Sequence, residues 1–141
     1  PPSTRSTAGI DPSAQVRTVA RLDPFAPAVA ALSRYTFLSH DERGLYDGLA
    51  AAFGSAGISY ERERALSTGN RVDFYLPAHR LAVEVKVQGS PASILRQLSR
   101  YAACEVVGAI LLVTSRASLA RIPSTIANKP AMAVRLTGPF G

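Results

Sequence analysis

Three residues carry the chemistry that this sequence suggests first: Asp73, Glu84 and Lys86. In the run Leu81–Val87, Leu81, Val83, Val85 and Val87 alternate with Ala82, Glu84, Lys86 and, one step on, Gln88. Successive side chains of a strand point to opposite faces, so a carboxylate and an ammonium stand two residues apart on one face of an otherwise apolar strand. The preceding run, Arg71–Leu76, puts Val72, Phe74 and Leu76 on one face and Arg71, Asp73 and Tyr75 on the other. Antiparallel pairing of the two runs brings Asp73 to Glu84. Two neighbouring carboxylates repel unless a cation lies between them. A hard divalent ion such as Mg²⁺, with Mn²⁺ as a substitute, fits that need, with water and a substrate phosphate completing its shell. Lys86 can hold a phosphate, orient the attacking water or help deprotonate it. These are the parts needed to hydrolyse a phosphodiester. By itself the triplet is equally a solvated sheet face with an ordinary Glu–Lys pair.

The elements that must position these residues can be read from the pattern. Leu45, Leu49, Ala52 and Phe53 recur at helical spacing and predict a helix over about 41–55, closed by Gly54 and Gly57. Strands follow at Ile58–Leu66, Arg71–Leu76 and Leu81–Val87. The short turns Ser67–Asn70 and Pro77–Arg80 make them antiparallel hairpins. Ser90-Pro91 reads as an N-cap and first-turn proline, opening a helix to about Ala103. Gly108–Thr114 is a continuous apolar run, a strand buried on both faces. A helix over about 117–127, broken by Lys129-Pro130, and a last strand at Ala131–Leu136 complete the order α-βββ-α-β-α-β. The class is α/β, a central mixed sheet with flanking helices. Residues 1–38 read as a basic, partly flexible extension whose part from 23 onward packs as a short helix or ordered segment. Residues 39–141 form the compact domain.

Here the chain resembles a known family. Asp73, followed after ten residues by Glu84-Val85-Lys86 in a hairpin, looks like the PD-(D/E)xK nuclease motif, and the α-βββ-α-β order is similar to its restriction-endonuclease-like core. Gln97-Leu98-Ser99-Arg100-Tyr101 is similar to the QxxxY element of the RecB-like branch. Gln97 and Tyr101 share a helix face. The resemblance spans about residues 39–136. It implies a Mg²⁺-dependent nuclease with Asp73, Glu84, Lys86 and Gln97 catalytic, and with Tyr101 beside the substrate. Val72 stands where the family has its nominal proline. Many members add a glutamate from the first helix. Glu42 is the candidate third metal residue, but Ser39-His40-Asp41-Glu42 also fits a capping box with Ser39 as N-cap and Glu42 at N3.

Arg96 and Arg100, one turn apart, can join Lys86 and Arg71 in a phosphate-tracking stripe or form a solvated face. Glu61 and Glu63 either approach the site or pair with Arg62, Arg64 or Arg71. His79 reads as a turn residue. His40, near Glu42, and Ser115-Arg116, at a strand end, are weaker site candidates. The net charge of +6 favours a polyanionic partner. The lone Cys104 cannot form an internal disulfide and reads as a small buried residue at a helix end. No apolar run approaches the ~20 residues of a membrane span. A structure-guided or broadly specific DNA endonuclease suits this reading. It would act as a homodimer or a subunit of a larger assembly, in recombination or repair, with size similar to Holliday-junction resolvases. The expected compartment is cytoplasmic, with organelle targeting of the basic arm as the alternative. A non-catalytic nucleic-acid-binding or assembly module on the same fold is the other reading.

Overall fold

A computed structural model describes residues 23–137, so the basic arm over residues 1–22 lies outside the described residues. The elements are α1 (Ala26–Arg34), α2 (Glu42–Ser55), β1 (Glu61–Ser67), β2 (Asn70–Leu76), β3 (Leu81–Val85), α3 (Pro91–Ala102), β4 (Ala109–Thr114), β5 (Thr125–Ile126) and β6 (Lys129–Arg135). The six strands form one mixed sheet in the order β1-β2-β3-β4-β6-β5. β1, β2 and β3 run antiparallel, β3 and β4 are parallel, and so are β4 and β6. The parallel step from β3 to β4 needs a crossover, which α3 supplies.

Both central strands are wholly buried, every residue of β3 and of β4. Their alternation feeds two cores. Leu81, Val83, Val85, Leu111 and Val113 pack with Leu45, Leu49 and Phe53 of α2 and with Ala28, Ala31 and Leu32 of α1. Ala82, Ile110 and Leu112 pack with Ile94, Leu98, Tyr101 and Ala102 of α3. Burial of such side chains is worth about 25 cal/mol per Å² and holds the three layers together. The segment from 23 onward is therefore an ordered helix packed on the domain.

The hairpins and both main helices follow the sequence pattern, with shifts at their ends. Ser90 caps α3 by accepting from the Ser93 N–H at 3.1 Å, with Pro91 in the first turn. The cap of α2 differs from the capping box. Asp41 is the N-cap and accepts from the Gly44 N–H at 2.7 Å, while Ser39 donates its hydroxyl to Asp41 at 3.0 Å. Glu42 is thus the first helical residue, not N3. Gly44 suits this turn because a Cβ there would lie 2.8 Å from the Ser39 carbonyl oxygen.

Two further expectations fail. Residues 117–127 are not an α-helix: Ala117–Leu119 make one 3-10 turn, and Thr125–Ile126 pair with Lys129–Pro130 as a hairpin. Pro123 cannot sit inside a helix without losing a hydrogen bond. Ala127 and Asn128, both at positive φ (50° and 65°), make the two-residue turn. Lys129-Pro130 therefore opens the last strand instead of breaking a helix. Pro130 is tolerated because its only partner on that side is the two-residue edge strand β5.

The second failure is the face of Val72. It packs with Tyr75 and Ala82 on the α3 side, away from Phe74 and Leu76 on the α2 side. The β1–β2 hairpin rolls over between the pairs Arg62↔Phe74 and Arg64↔Val72. Arg62 lies over the Tyr46 ring of α2, whereas Arg64 lies over the Tyr75 ring. Between them Glu63 has a left-handed backbone, φ 50°. Opposite Glu63 stands Asp73, at the point where the two faces exchange.

Candidate active site

The roll opens the ladder between β2 and β3. Backbone pairing of these strands ends at Phe74↔Val83. Beyond it two carboxylates take over the role of main-chain acceptors. Asp73 Oδ2 accepts from the Val85 N–H at 2.8 Å, and Glu84 Oε1 accepts from the Asp73 N–H at 3.2 Å. Asp73 and Glu84 are thereby brought together, as their spacing suggested. Lys86 lies just past the end of β3, and its N–H extends the parallel ladder by donating to the Val113 carbonyl at 3.0 Å. Its Nζ is 3.4 Å from Glu84 Oε2. Carboxylates and ammonium thus meet at the carboxyl end of β3 and β4, the end where open α/β sheets usually bind ligands.

The electrostatics of the pair are unbalanced. Glu84 is only 3% exposed. Burial first, and the neighbouring Asp73 anion second, push its carboxyl up to about 8, against the pull of Lys86. Burial also raises Asp73, opposed by the Val85 N–H and helped by the Glu63 carboxylate. One ammonium does not offset a buried and a half-buried carboxylate side by side, and a further cation would relieve them. The donor set is all oxygen, which suits a hard ion. Among the described residues, no three His, Cys, Asp or Glu side chains form a ligand group.

Behind Glu84 stands α3. Gln97 Nε2 donates to the Tyr101 hydroxyl at 2.8 Å, and that hydroxyl lies 2.8 Å from the Arg71 carbonyl oxygen and 3.3 Å from Glu84 Oε2. Its single proton serves the closer acceptor or the carboxylate. Burial, then the Glu84 and Asp73 anions, raise the Tyr101 phenol well above its ordinary value. Tyr101, expected beside a substrate, is 2% exposed and instead ties β2, Glu84 and Gln97 together. Tyr101→Phe leaves the Gln97 amide and the Arg71 carbonyl without that partner. A stability loss of about 1–3 kcal/mol is expected, read as a lower midpoint in urea unfolding.

Beside Asp73, a cavity of about 490 Å³ is lined by Glu42, Arg43, Tyr46, Glu63 and Asp73 itself. Tyr46 donates to Glu63 Oε2 at 2.9 Å, and burial together with that carboxylate pushes its phenol up to about 12. Glu42 Oε1 accepts from the Val87 N–H at 3.1 Å, so it faces the end of β3 rather than its own helix turn. Of the two acids on β1, Glu61 pairs with Arg64 at 3.1 Å and Glu63 joins the site. Arg71 is exposed and holds the Glu63 carbonyl oxygen at 3.1 Å. Arg96 and Arg100 are exposed on α3, one turn apart and on the same side of Gln97. Arg116 reaches the Val87 carbonyl oxygen at 3.4 Å. His79 ends the turn before β3, at the opposite end of that strand, and His40 lies against Phe37. Cys104 is buried just beyond α3, as expected.

Sequence reading missed Tyr46. Its place four residues after Glu42, one helical turn on, was the available signal. Comparison of the chain with family models, curated proteins and solved structures gave no match. Among the described residues, no helix is long and apolar enough to cross a membrane.

Proposed function

We propose that this chain is a metal-dependent nuclease of the PD-(D/E)xK type that hydrolyses phosphodiester bonds in DNA. The observation that carries the reading is the pair of half-buried Asp73 and buried Glu84, with Lys86 at 3.4 Å from Glu84, at the carboxyl end of the central strands. The order α2-β1-β2-β3-α3-β4, with Gln97 and Tyr101 behind Glu84, supports it. Asp73 and Glu84 would hold Mg²⁺, or Mn²⁺ in its place. When bound, the ion would polarise a phosphoryl oxygen and lower the pKa of its water.

The chain's own residues do the rest. Lys86, about one-quarter exposed, presents its ammonium to a phosphate at the rim and steadies the carboxylate form of Glu84. Tyr101 and Gln97 fix the Glu84 carboxylate from behind, so that its free lone pairs keep one direction. Exposed Arg71, Arg96 and Arg100 meet the neighbouring phosphates of the strand. The net charge of +6 suits such a partner. We read the substrate as structure-selected or broadly defined DNA, cut by a homodimer or within a larger nuclease assembly.

The test is one cleavage panel of linear duplex, single-stranded, flapped and four-way DNA, with Mg²⁺, Mn²⁺ or a chelator. Cut product with either ion and none with chelator is the expected result. A higher rate on four-way or flapped DNA than on linear duplex marks a structure-selective enzyme. DNA binding that ignores the ions, with no product from any substrate, replaces the nuclease by a binding module on the same fold.

A further inference from the structure

The two peptide groups that flank Val87, the residue after Lys86, are each held by a residue far away in sequence. Glu42, at the start of α2, takes the Val87 N–H at 3.1 Å. Arg116, just beyond β4, reaches the Val87 carbonyl oxygen with Nη1 at 3.4 Å. One residue earlier, the Lys86 N–H is fixed to the Val113 carbonyl oxygen at 3.0 Å. Two residues beyond Val87 the chain turns through Gly89 at φ 105° before entering α3. Such a left-handed glycine gives the loop rotational freedom. Without an anchor at Val87, the path of the loop, and with it the direction of the Lys86 side chain, would follow that freedom.

We propose that Glu42 and Arg116 form a main-chain clamp on Val87 that sets the direction of Lys86, which makes both of them positioning residues. Glu42 then acts through the Val87 N–H and not as a ligand of the cation. The placement of Glu42 agrees with this: its Oε1 is engaged by the main chain. The clamp joins α2, β3 and the end of β4 across the mouth of the site. It rests on the nuclease reading for its effect on rate but not for its existence.

The two can be tested apart in the full chain with Glu42→Ala, Glu42→Gln and Arg116→Ala. Hydrogen exchange of the Val87 amide reports the clamp directly. It should speed up in Glu42→Ala and stay slow in Glu42→Gln, whose side-chain oxygen still accepts. In cleavage kinetics, Glu42→Ala should lower kcat about 10- to 100-fold, the scale set by a misdirected group. Glu42→Gln should recover to within about fivefold of wild type, with the half-saturating Mg²⁺ concentration shifted less than about threefold. Arg116→Ala should lower kcat more than it raises KM. A rise of about tenfold or more in the Mg²⁺ requirement of Glu42→Gln overturns the proposal, since it marks a metal ligand. So does a rise in KM alone for Arg116→Ala, which marks a direct phosphate contact. Val87 exchange that ignores Glu42→Ala removes the clamp. Wild type that never cuts DNA removes the nuclease reading and the clamp's effect on rate, while Val87 exchange still decides whether the clamp exists.

Discussion

Lys86→Ala should yield a folded protein that still binds DNA and cuts it about 10²–10⁴-fold more slowly, the range for loss of a positioned proton-transfer or charge-bearing group. The fold should survive because the main-chain link from Lys86 to Val113 is untouched by the substitution, and the side chain is about one-quarter exposed. Among the described residues its ion-pair partner is Glu84. Removing the ammonium takes away the pull that holds the Glu84 carboxyl down, so that group shifts further toward its protonated form. Two losses then coincide: the cation beside the phosphate and the readiness of Glu84 to be a carboxylate. Binding should fall only modestly, with the salt dependence reduced by roughly one phosphate contact. Lys86→Arg should recover little, because a planar fork on a longer stem does not place a point charge where the ammonium stands. Single-turnover cleavage beside metal-free DNA binding separates these effects. A Lys86→Ala protein that cuts at the wild-type rate refutes the mechanism.

What could be read from the sequence follows from how local each constraint is. The apolar alternation of Leu81–Val87 and the short turns around it place Glu84 and Lys86 on one face without any tertiary knowledge, and the Ser90-Pro91 start of α3 is a local signal too. The same alternation misplaced Val72, because the roll of the hairpin depends on Glu63 adopting a left-handed backbone that its residue type does not announce. Glu42 illustrates a competition between near and far partners. A capping box was plausible at Ser39-x-x-Glu42, yet Asp41 took the cap and Glu42 found a partner 45 residues away. Nothing local encodes that contact, nor the reach of Arg116 to Val87. Over 117–127 the expected helix gives way to a 3-10 turn and a hairpin, because Pro123 interrupts the helical hydrogen bonds and Ala127-Asn128 makes a tight turn.

Glu84→Gln should cost nearly all cleavage and yet make the protein more stable in mildly alkaline solution. In the folded protein the Glu84 carboxyl sits near 8, against an ordinary value of 4.5. For an acid whose folded value is raised, the folded state binds its proton more tightly than the unfolded chain does. Stability from this group is therefore complete below about 4.5 and is lost progressively as pH rises toward 8. The limiting slope is ~1.4 kcal/mol per pH unit for one proton. Glutamine has no such proton and keeps a side-chain oxygen for the Asp73 N–H. Its unfolding midpoint should therefore change less between pH 5 and pH 9, by the share Glu84 contributes, and should exceed that of wild type at the upper end. In the proposed nuclease the same raised value would shape cation binding. A proton must leave Glu84 before a cation can take its place, so the half-saturating Mg²⁺ concentration of wild type should fall with rising pH and level off near 8. Urea unfolding across that range, with Mg²⁺ titrations of cleavage, reads both limbs. An equal pH slope in wild type and Glu84→Gln would show that the proton resides elsewhere in the pair. A Glu84→Gln protein that still cuts would show that the carboxylate is not needed. The combination expected here, a more stable and inactive variant, is what a buried carboxylate kept for chemistry at the expense of stability should give.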